Sequence, residues 1–200
     1  MSFILFVILA VFIILAVLGV LVATIYNRLV SLKNRFKNAF SQIDVQLRRR
    51  HDLIPALVKA AKSYLTHESK TLETVIEARA KATSAQISLA GDPTQLAALE
   101  QLVAAEGQLS SAMGRLLVSM EAYPELKADR TISELREEIA STENRIAFAR
   151  QAYNDAVMYY NEAREKFPAV LFSEMFGFGL AEYWLLDETA AAVPPEINLD

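Results

Sequence analysis

The feature that most constrains this chain is an uninterrupted apolar run near its N-terminus. Residues Phe3 to Ile25 contain no charged side chain, and the first charge in the sequence is Arg28. As an α-helix this run is about 34 Å long, enough to cross a hydrocarbon layer of about 30 Å. A cleaved signal peptide is the competing interpretation, but its apolar core is shorter, about 7–15 residues, and follows basic residues. We therefore expect a retained transmembrane anchor at residues 1–26, with Tyr26 at the membrane interface.

Basic residues follow the anchor and indicate its orientation. Arg28, Lys33, Arg35 and Lys37 come soon after the apolar run, and no basic residue precedes it. Because cationic flanks stay in the cytoplasm, we predict a single pass with the N-terminus outside and the C-terminal body in the cytoplasm. The chain contains no cysteine, which agrees with that compartment. The same absence excludes disulfides, thiolate zinc sites and cysteine nucleophiles.

The rest of the chain repeats apolar residues at every third or fourth position, the period of an amphipathic α-helix. Four such stripes are separated near residues 48–55, at Gly91–Pro93 and before Pro124, and the last one closes at Pro168. Since these stripes must be buried against one another, the predicted fold is all-α, with an N-terminal transmembrane helix followed by an antiparallel four-helix bundle of long helices. The expected divisions are an anchor at 1–26, the bundle at 27–168, and an aromatic segment with a flexible C-terminal tail at 169–200.

The boundary between the first two stripes has two interpretations. Pro55 either breaks the chain into two antiparallel helices or kinks one long helix. We favour the break, because it gives four helices of comparable length. Further along, Asp92 is expected to cap the third helix. The spacing of Thr131 and Glu134 predicts a capping box at the start of the fourth.

Several polar residues lie on or beside the apolar stripes and are candidates for a buried site. Buried charges need partners, so we expect an ion-pair layer that fixes the register of the helices. Its acidic member is expected to be Glu143 or Glu106, and its basic member Arg150 or Arg79. A ligand or ion site is the alternative. The full set of candidates is Asp44, Glu68, Glu106, Glu143, Arg150 and Asn154.

Two glycines on the third stripe, Gly107 and Gly114, lie one heptad apart. Each costs the helix about 1 kcal/mol relative to alanine. We interpret them as positions where a neighbouring helix approaches closely, rather than as part of a ligand site.

The sequence contains no motif for catalysis or for cofactor binding. A di-iron bundle places Glu three residues before each histidine, but here Arg48 precedes His51 and Tyr64 precedes His67 at that distance. His67 also fails the H-E-x-x-H zinc pattern, because Thr71 occupies the position of the second histidine. We therefore predict no catalytic residue, no cofactor and no metal site.

Charge is divided unevenly along the chain. Residues 28–50 carry seven basic side chains and a single acidic one, Asp44, whereas the whole chain has a net charge of −4. A basic stretch beside the membrane suits anionic lipid headgroups, at on the order of 1 kcal/mol per cation. The alternative is that these cations only set the topology. Nucleic acid is not an expected partner, since the remainder of the body is acidic.

After Pro168 the sequence crowds apolar and aromatic residues into a short segment that includes the only tryptophan. Such a cluster either folds back onto the bundle as a cap or contacts a neighbouring chain or lipid. Both interpretations stay open. The residues are Phe172, Met175, Phe176, Phe178, Leu180, Tyr183, Trp184, Leu185 and Leu186.

Several runs of the body are specific enough to indicate a family. The most specific covers residues 41–55 and reads SQIDVQLRRRHDLIP. The others are Tyr26-Asn27-Arg28-Leu29-Val30, His67-Glu68, Ala78-Arg79, Tyr123-Pro124-Glu125-Leu126-Lys127, Glu143-Asn144-Arg145-Ile146-Ala147, Ala152-Tyr153-Asn154-Asp155, Tyr160-Asn161 and Phe167-Pro168.

Over roughly residues 26–178 these runs resemble the LemA family of bacterial membrane-anchored proteins. The resemblance implies one N-terminal anchor in the bacterial inner membrane and a cytoplasmic antiparallel helical bundle. It also implies genes that lie near membrane-associated proteases, and relatives that serve in organelle-like membrane compartments.

We therefore expect a non-enzymatic scaffold or organiser that self-associates into homo-oligomers through its bundle. Its expected partners are the lipid bilayer, further copies of itself and a membrane-associated protease. One alternative is a sensory or adaptor module for such a protease or another membrane partner. The other is a bundle enzyme with buried carboxylates.

Overall fold

The computed structural model describes residues 2–65, 68–89 and 91–185, so His67 and Leu186 lie outside the described residues. Across those ranges the chain is helical and contains no β-strand. This confirms the predicted all-α fold with a long apolar N-terminal helix. The helices are α1 Ser2–Ala61, α2 Ser69–Leu89, α3 Leu96–Glu121, α4 Pro124–Ala128, α5 Arg130–Glu165 and α6 Val170–Ser173.

The first helix, α1, continues through Pro55 and ends at Ala61. The predicted break at this proline is therefore wrong, and the alternative of one long helix is correct. Proline lacks the N–H that would bond the carbonyl of His51 four residues earlier. Arg79 on α2 donates from Nε to that carbonyl at 2.6 Å and replaces the missing bond.

Two predicted helix starts are also displaced. Asp92 does not cap α3, because its Oδ1 accepts from the backbone N–H of Thr94 at 3.2 Å in a turn before the helix. The predicted capping box of α5 is replaced by Asp129, whose Oδ1 accepts from the N–H of Ile132 at 3.1 Å. That hydrogen bond is the main cause that lowers the pKa of the Asp129 carboxyl.

The described chain forms two compact units. We call residues 2–43 and 147–183 the aromatic unit, and residues 44–146 with 184–185 the ionic unit. The ionic unit is a bundle of the C-terminal part of α1, α2, α3 and the first half of α5, with α4 beside α3. Its core contains Ile54, Leu57, Leu72, Val75, Leu109, Met113, Leu116, Met120, Leu126, Ile132 and Ile139.

The aromatic unit is built from the long N-terminal part of α1, the second half of α5, and α6 with the segment around it. Its core is a set of ring contacts between the two long helices. The Phe36 ring lies 5.1 Å from that of Tyr160, and the Phe40 ring 5.8 Å from that of Tyr153. The apolar start of α1 is long and apolar enough to cross a membrane, and no part of its most apolar stretch is buried.

The segment that follows α6 is fixed to α5 by side chains that bond its backbone. Phe178 and Ala181 are buried there. This confirms, for these residues, the interpretation that the aromatic tail caps its own unit. The Tyr153 hydroxyl donates to the carbonyl of Glu182 and the Tyr160 hydroxyl to that of Gly179, both at 2.8 Å. Asn161 bonds the backbone of Ala181 twice, because its Nδ2 donates to the carbonyl at 2.9 Å and its Oδ1 accepts from the N–H at 3.0 Å. Arg164 Nε donates to the carbonyl of Phe178 at 2.8 Å.

Candidate functional site

The most unusual feature of the ionic unit is an arginine placed on the apolar stripe of α1. Arg50 lies three residues after Leu47 and four before Ile54, and its side chain is only 2% exposed. Its Nη2 contacts Oε2 of Glu106 on α3, which is equally buried. Its Nη1 donates to Oε1 of the partly buried Glu143 on α5 at 2.5 Å. One guanidinium thus joins three helices.

His51 extends this cluster toward α2. Its ring is 3% exposed, and Nε2 lies 2.8 Å from the second oxygen of Glu106. Since an ionised carboxylate only accepts, Nε2 carries the hydrogen of this bond. The other nitrogen, Nδ1, lies 3.3 Å from the hydroxyl of Thr83. Both oxygens of Glu106 are therefore occupied, one by Arg50 and one by His51.

The backbone of the same turn is satisfied by Arg79, which donates to the carbonyl of His51. This carbonyl lacks a helical partner because of Pro55. Arg50, His51 and Pro55 all belong to the run of residues 41–55. The specificity of that run therefore has a physical basis, because two of its side chains and one of its carbonyls form the contacts between helices.

The three consecutive arginines of α1 have three different environments. Arg48 pairs with Asp44 on its own helix at 2.7 Å, and Arg49 pairs with Glu138 at 2.6 Å on the surface. Only Arg50 is buried. Each of these three arginines therefore has a carboxylate partner within the chain.

The predicted ion-pair layer is present, with a different arginine from the two expected. The prediction named Glu106 or Glu143 as the acidic member, and both belong to the layer through contacts with Arg50. Arg79 bonds a backbone carbonyl, and Arg150 lies in the aromatic unit. The sequence does contain a signal for Arg50, because it falls on the stripe between Leu47 and Ile54.

Asp44 takes part in a second polar contact of the ionic unit. Its carbonyl and its Oδ1 accept from Nε2 of the buried Gln86 at 2.9 and 2.8 Å. The carboxylate therefore bonds both Gln86 on α2 and Arg48 on α1. This contact supports the interpretation that polar residues on the stripes fix helix register.

A cleft of about 620 Å³ lies between α3 and α5, next to the buried cluster. Ser110 and Glu143 line it and also contact Nη1 of Arg50. Its remaining lining is part apolar and part charged: Met113, Gly114, Leu117, Ser133, Arg136, Glu137, Ile139, Ala140 and Asn144.

The predicted close packing at Gly107 and Gly114 is wrong. A methyl group built at either position meets no atom within 4 Å. Val118, one turn beyond Gly114, is 67% exposed. Residues 107, 111, 114 and 118 share one face of a helix, and among the described residues no helix packs closely on the glycines of this face.

Each carboxylate oxygen of the buried Glu106 has a partner within the cluster, Arg50 for one and His51 for the other. Across the described residues no group of three histidine, aspartate or glutamate side chains is placed to hold a metal. The geometry therefore favours a cluster that holds helices in register over one that reacts.

Comparison with known proteins agrees with this architecture. The sequence profile of the LemA family matches residues 39–199. The magnetosome protein MamQ 2 of Paramagnetospirillum magneticum is 27% identical over 178 residues, which are 80% of this chain and 64% of that protein. MamQ of Magnetospirillum gryphiswaldense is 25% identical over 174 residues, with the same coverage. The protein LemA of Metamycoplasma hominis is 26% identical over 135 residues, 68% of this chain and 57% of the relative. The chain thus spans less than two thirds of the length of these relatives.

Proposed function

This chain belongs to the LemA family, and on that premise we propose that it is a non-enzymatic organiser at the bacterial inner membrane. It is anchored through residues 3–25 and self-associates through its helical bundle. The cations Arg28 to Lys37 hold the bundle on the cytoplasmic side. A membrane-associated helical protein also agrees with the relatives that are named magnetosome proteins.

The observation that carries the proposal is the uncovered face of α3. Two helical glycines cost about 1 kcal/mol each, yet a methyl group added at Gly107 or Gly114 would meet no described atom of another helix within 4 Å. Small residues let two helices approach closely. A second copy of the chain would supply the helix that the monomer lacks at this face.

The cleft beside this face has charges of both signs. Arg136 and Glu137 line it, and neither forms an ion pair among the described residues. A twofold interface brings the same patch of both subunits together, so Arg136 of one chain can meet Glu137 of its partner. Anchoring in a plane also raises the effective concentration of the chains, which favours weak lateral contacts.

The association is tested with the full-length chain in mild detergent and in bilayer discs, by light scattering. In Gly114→Lys, the added side chain and its charge should block a second helix and lower the mass of the assembly. The matched control is Ala80→Lys on the exposed surface of α2, which should leave the mass unchanged.

Gly114→Lys should keep its helix content, because lysine is a better helix former than glycine and a methyl group at position 114 meets no atom within 4 Å. Ala80→Lys should lower the melting temperature only slightly, because lysine is a slightly weaker helix former than alanine. An unchanged assembly mass in Gly114→Lys would rule out this face. A monomer for the unaltered chain would reject self-association altogether and favour the alternative, an adaptor module for a membrane protease.

A further inference from the structure

The end of the apolar run contacts other residues of the aromatic unit. Val22 and Ile25 are partly buried, whereas the large hydrophobic residues from Phe3 to Leu21 are exposed. One residue further, the Tyr26 ring lies 5.4 Å from the rings of both Phe176 and Phe178. The segment after Pro168 therefore packs against the last turn of the apolar run.

The direction of the Tyr26 side chain fixes the level of this contact. Side chains on an α-helix lean toward its N-terminus and cover the turn before their own Cα. The Tyr26 ring therefore lies beside residues 22–25, and Phe176 in contact with it lies at the same level. If residues 3–25 cross a bilayer, Phe176 is at the depth of its interfacial region.

The same segment carries exposed apolar side chains. Leu171 is 63% exposed and Met175 69%. Hydrogen bonds of the α-helical kind join Val170 to Lys166, Ser173 to Ala169 and Phe176 to Phe172, so these residues form helical turns. In such turns Leu171 and Met175, four residues apart, share one face. Phe167 at the start of the segment is 80% exposed.

We propose that this face, formed by Leu171 and Met175, inserts into the interfacial region of the same bilayer that holds the anchor. The proposal rests on the membrane anchorage proposed above. It gives the protein a second membrane contact, which fixes the rotation and tilt of α1 in addition to its depth.

Charge near this face fits anionic lipid headgroups. Arg28 is exposed two residues after Tyr26, and Lys33 places Nζ 6.0 Å from the centre of the Phe178 ring. The acidic residue next to Met175, Glu174, lies 3.4 Å from Arg164 and is paired with it. A phospholipid layer offers both an apolar interior for the exposed side chains and phosphates for the cations.

The bilayer is a better occupant of this face than a second copy of the chain, because of where the face lies. A face at the level of residues 22–25 meets lipid whenever the anchor is inserted. A second copy would reach it only by displacing that lipid.

The absence of cysteine in the chain allows a depth measurement on the full-length protein. Leu171→Cys and Met175→Cys each carry an environment-sensitive fluorophore, in vesicles of phosphatidylethanolamine and phosphatidylglycerol. Nitroxide-labelled lipid then quenches probes that contact the bilayer. Leu15→Cys reports on the anchor itself. The matched control is Phe148→Cys on α5, which is 72% exposed in the same unit. Tyr153 on α5 contacts Phe40, which follows the apolar run on α1, and position 148 lies farther along α5 from the anchor than Tyr153 does.

We expect blue-shifted emission and strong quenching by the labelled lipid at positions 171 and 175, and neither at 148. Quenching at 15 with none at 171 and 175 would overturn this proposal and leave the anchor standing. No quenching at 15 would overturn the anchorage and the proposal together. Probes at 171 and 175 that are shielded from aqueous iodide but not quenched by lipid would assign the face to a second copy, and would also overturn it.

Discussion

In the ionic unit a buried ion pair joins helices beside an apolar core, whereas in the aromatic unit the contacts between helices join rings and neutral hydrogen-bonding groups. Arg50 and Glu106 are both almost fully buried. The corresponding contacts of the aromatic unit are those of Phe36 and Phe40 with two tyrosines. Charged contacts are specific because a misplaced partner leaves a buried charge unpaired. Ring contacts tolerate small shifts, and the aromatic unit instead gains specificity from side chains that bond the backbone of one segment.

Glu106→Ala should have the largest effect, because it leaves Arg50 and His51 buried without their shared carboxylate. We expect a loss of about 3–5 kcal/mol in the free energy of unfolding, measured by urea titration in detergent. The control is Glu138→Ala, since the surface pair of Glu138 with Arg49 should contribute less than about 1 kcal/mol. Equal losses of unfolding free energy in Glu106→Ala and Glu138→Ala would show that the buried charged contact is not special to the stability of the ionic unit.

Asn161→Ala tests the corresponding specificity of the aromatic unit. It removes two hydrogen bonds to the backbone of Ala181, at 2.9 and 3.0 Å, and leaves a buried N–H and a buried carbonyl without this partner. We expect a loss of about 2 kcal/mol, read from thermal unfolding. Asn144→Ala, at an exposed position of the same helix, should change stability little. A loss of stability as large as that of Glu106→Ala would show that the neutral hydrogen bonds of the aromatic unit stabilise it as much as the charged contacts stabilise the ionic unit.

Arg79→Ala should cost about 1 kcal/mol, because the carbonyl of His51 loses the hydrogen bond from Arg79 Nε. The double variant with Pro55→Ala provides the control. Alanine at position 55 restores the helical N–H, so Arg79→Ala should cost less in that background. The same cost in both backgrounds would mean that Arg79 acts through something other than this carbonyl.

Alkaline pH should act on the aromatic unit through Tyr153. Burial is the main cause that raises the pKa of this phenol, so the stability it contributes is complete below its ordinary value of about 10 and is lost as pH rises toward the raised value. Tyr153→Phe should be less stable at neutral pH, because the hydrogen bond to Glu182 is lost. The difference between the two proteins should narrow above about pH 10. A constant difference in urea midpoints across that range would contradict this assignment.

Acid should act on the ionic unit through Asp129, with the smallest effect. Its carboxyl has a lowered pKa, chiefly because of the hydrogen bond from Ile132. The stability it contributes is therefore present above about pH 4 and is lost as pH falls through the lowered value. Asp129→Asn should be less stable than the unaltered chain at neutral pH, with the difference shrinking in acid. A difference between the two proteins in thermal melts that stays constant as pH falls would contradict this assignment.

The sequence predicted the positions of the helices well, because the spacing of apolar residues reports which faces are buried. It also predicted a buried ion-pair layer with Glu106 or Glu143 as its acidic member. It did not predict that Arg50 joins them, since periodicity shows that a residue lies on a stripe but not which charge lies opposite. Pro55 was misjudged for the same reason, because its effect depends on Arg79, which lies on another helix.

The hydrogen bond from Arg79 to the carbonyl of His51 has a consequence for the order in which the chain is built. The two residues are 28 positions apart, so the turn of α1 around Pro55 lacks one of its hydrogen bonds until α2 has been synthesised and has packed. Ribosomal synthesis runs from the N-terminus, and the apolar start of α1 emerges first. The last turns of α1 are therefore completed late, by a residue that the ribosome adds after them.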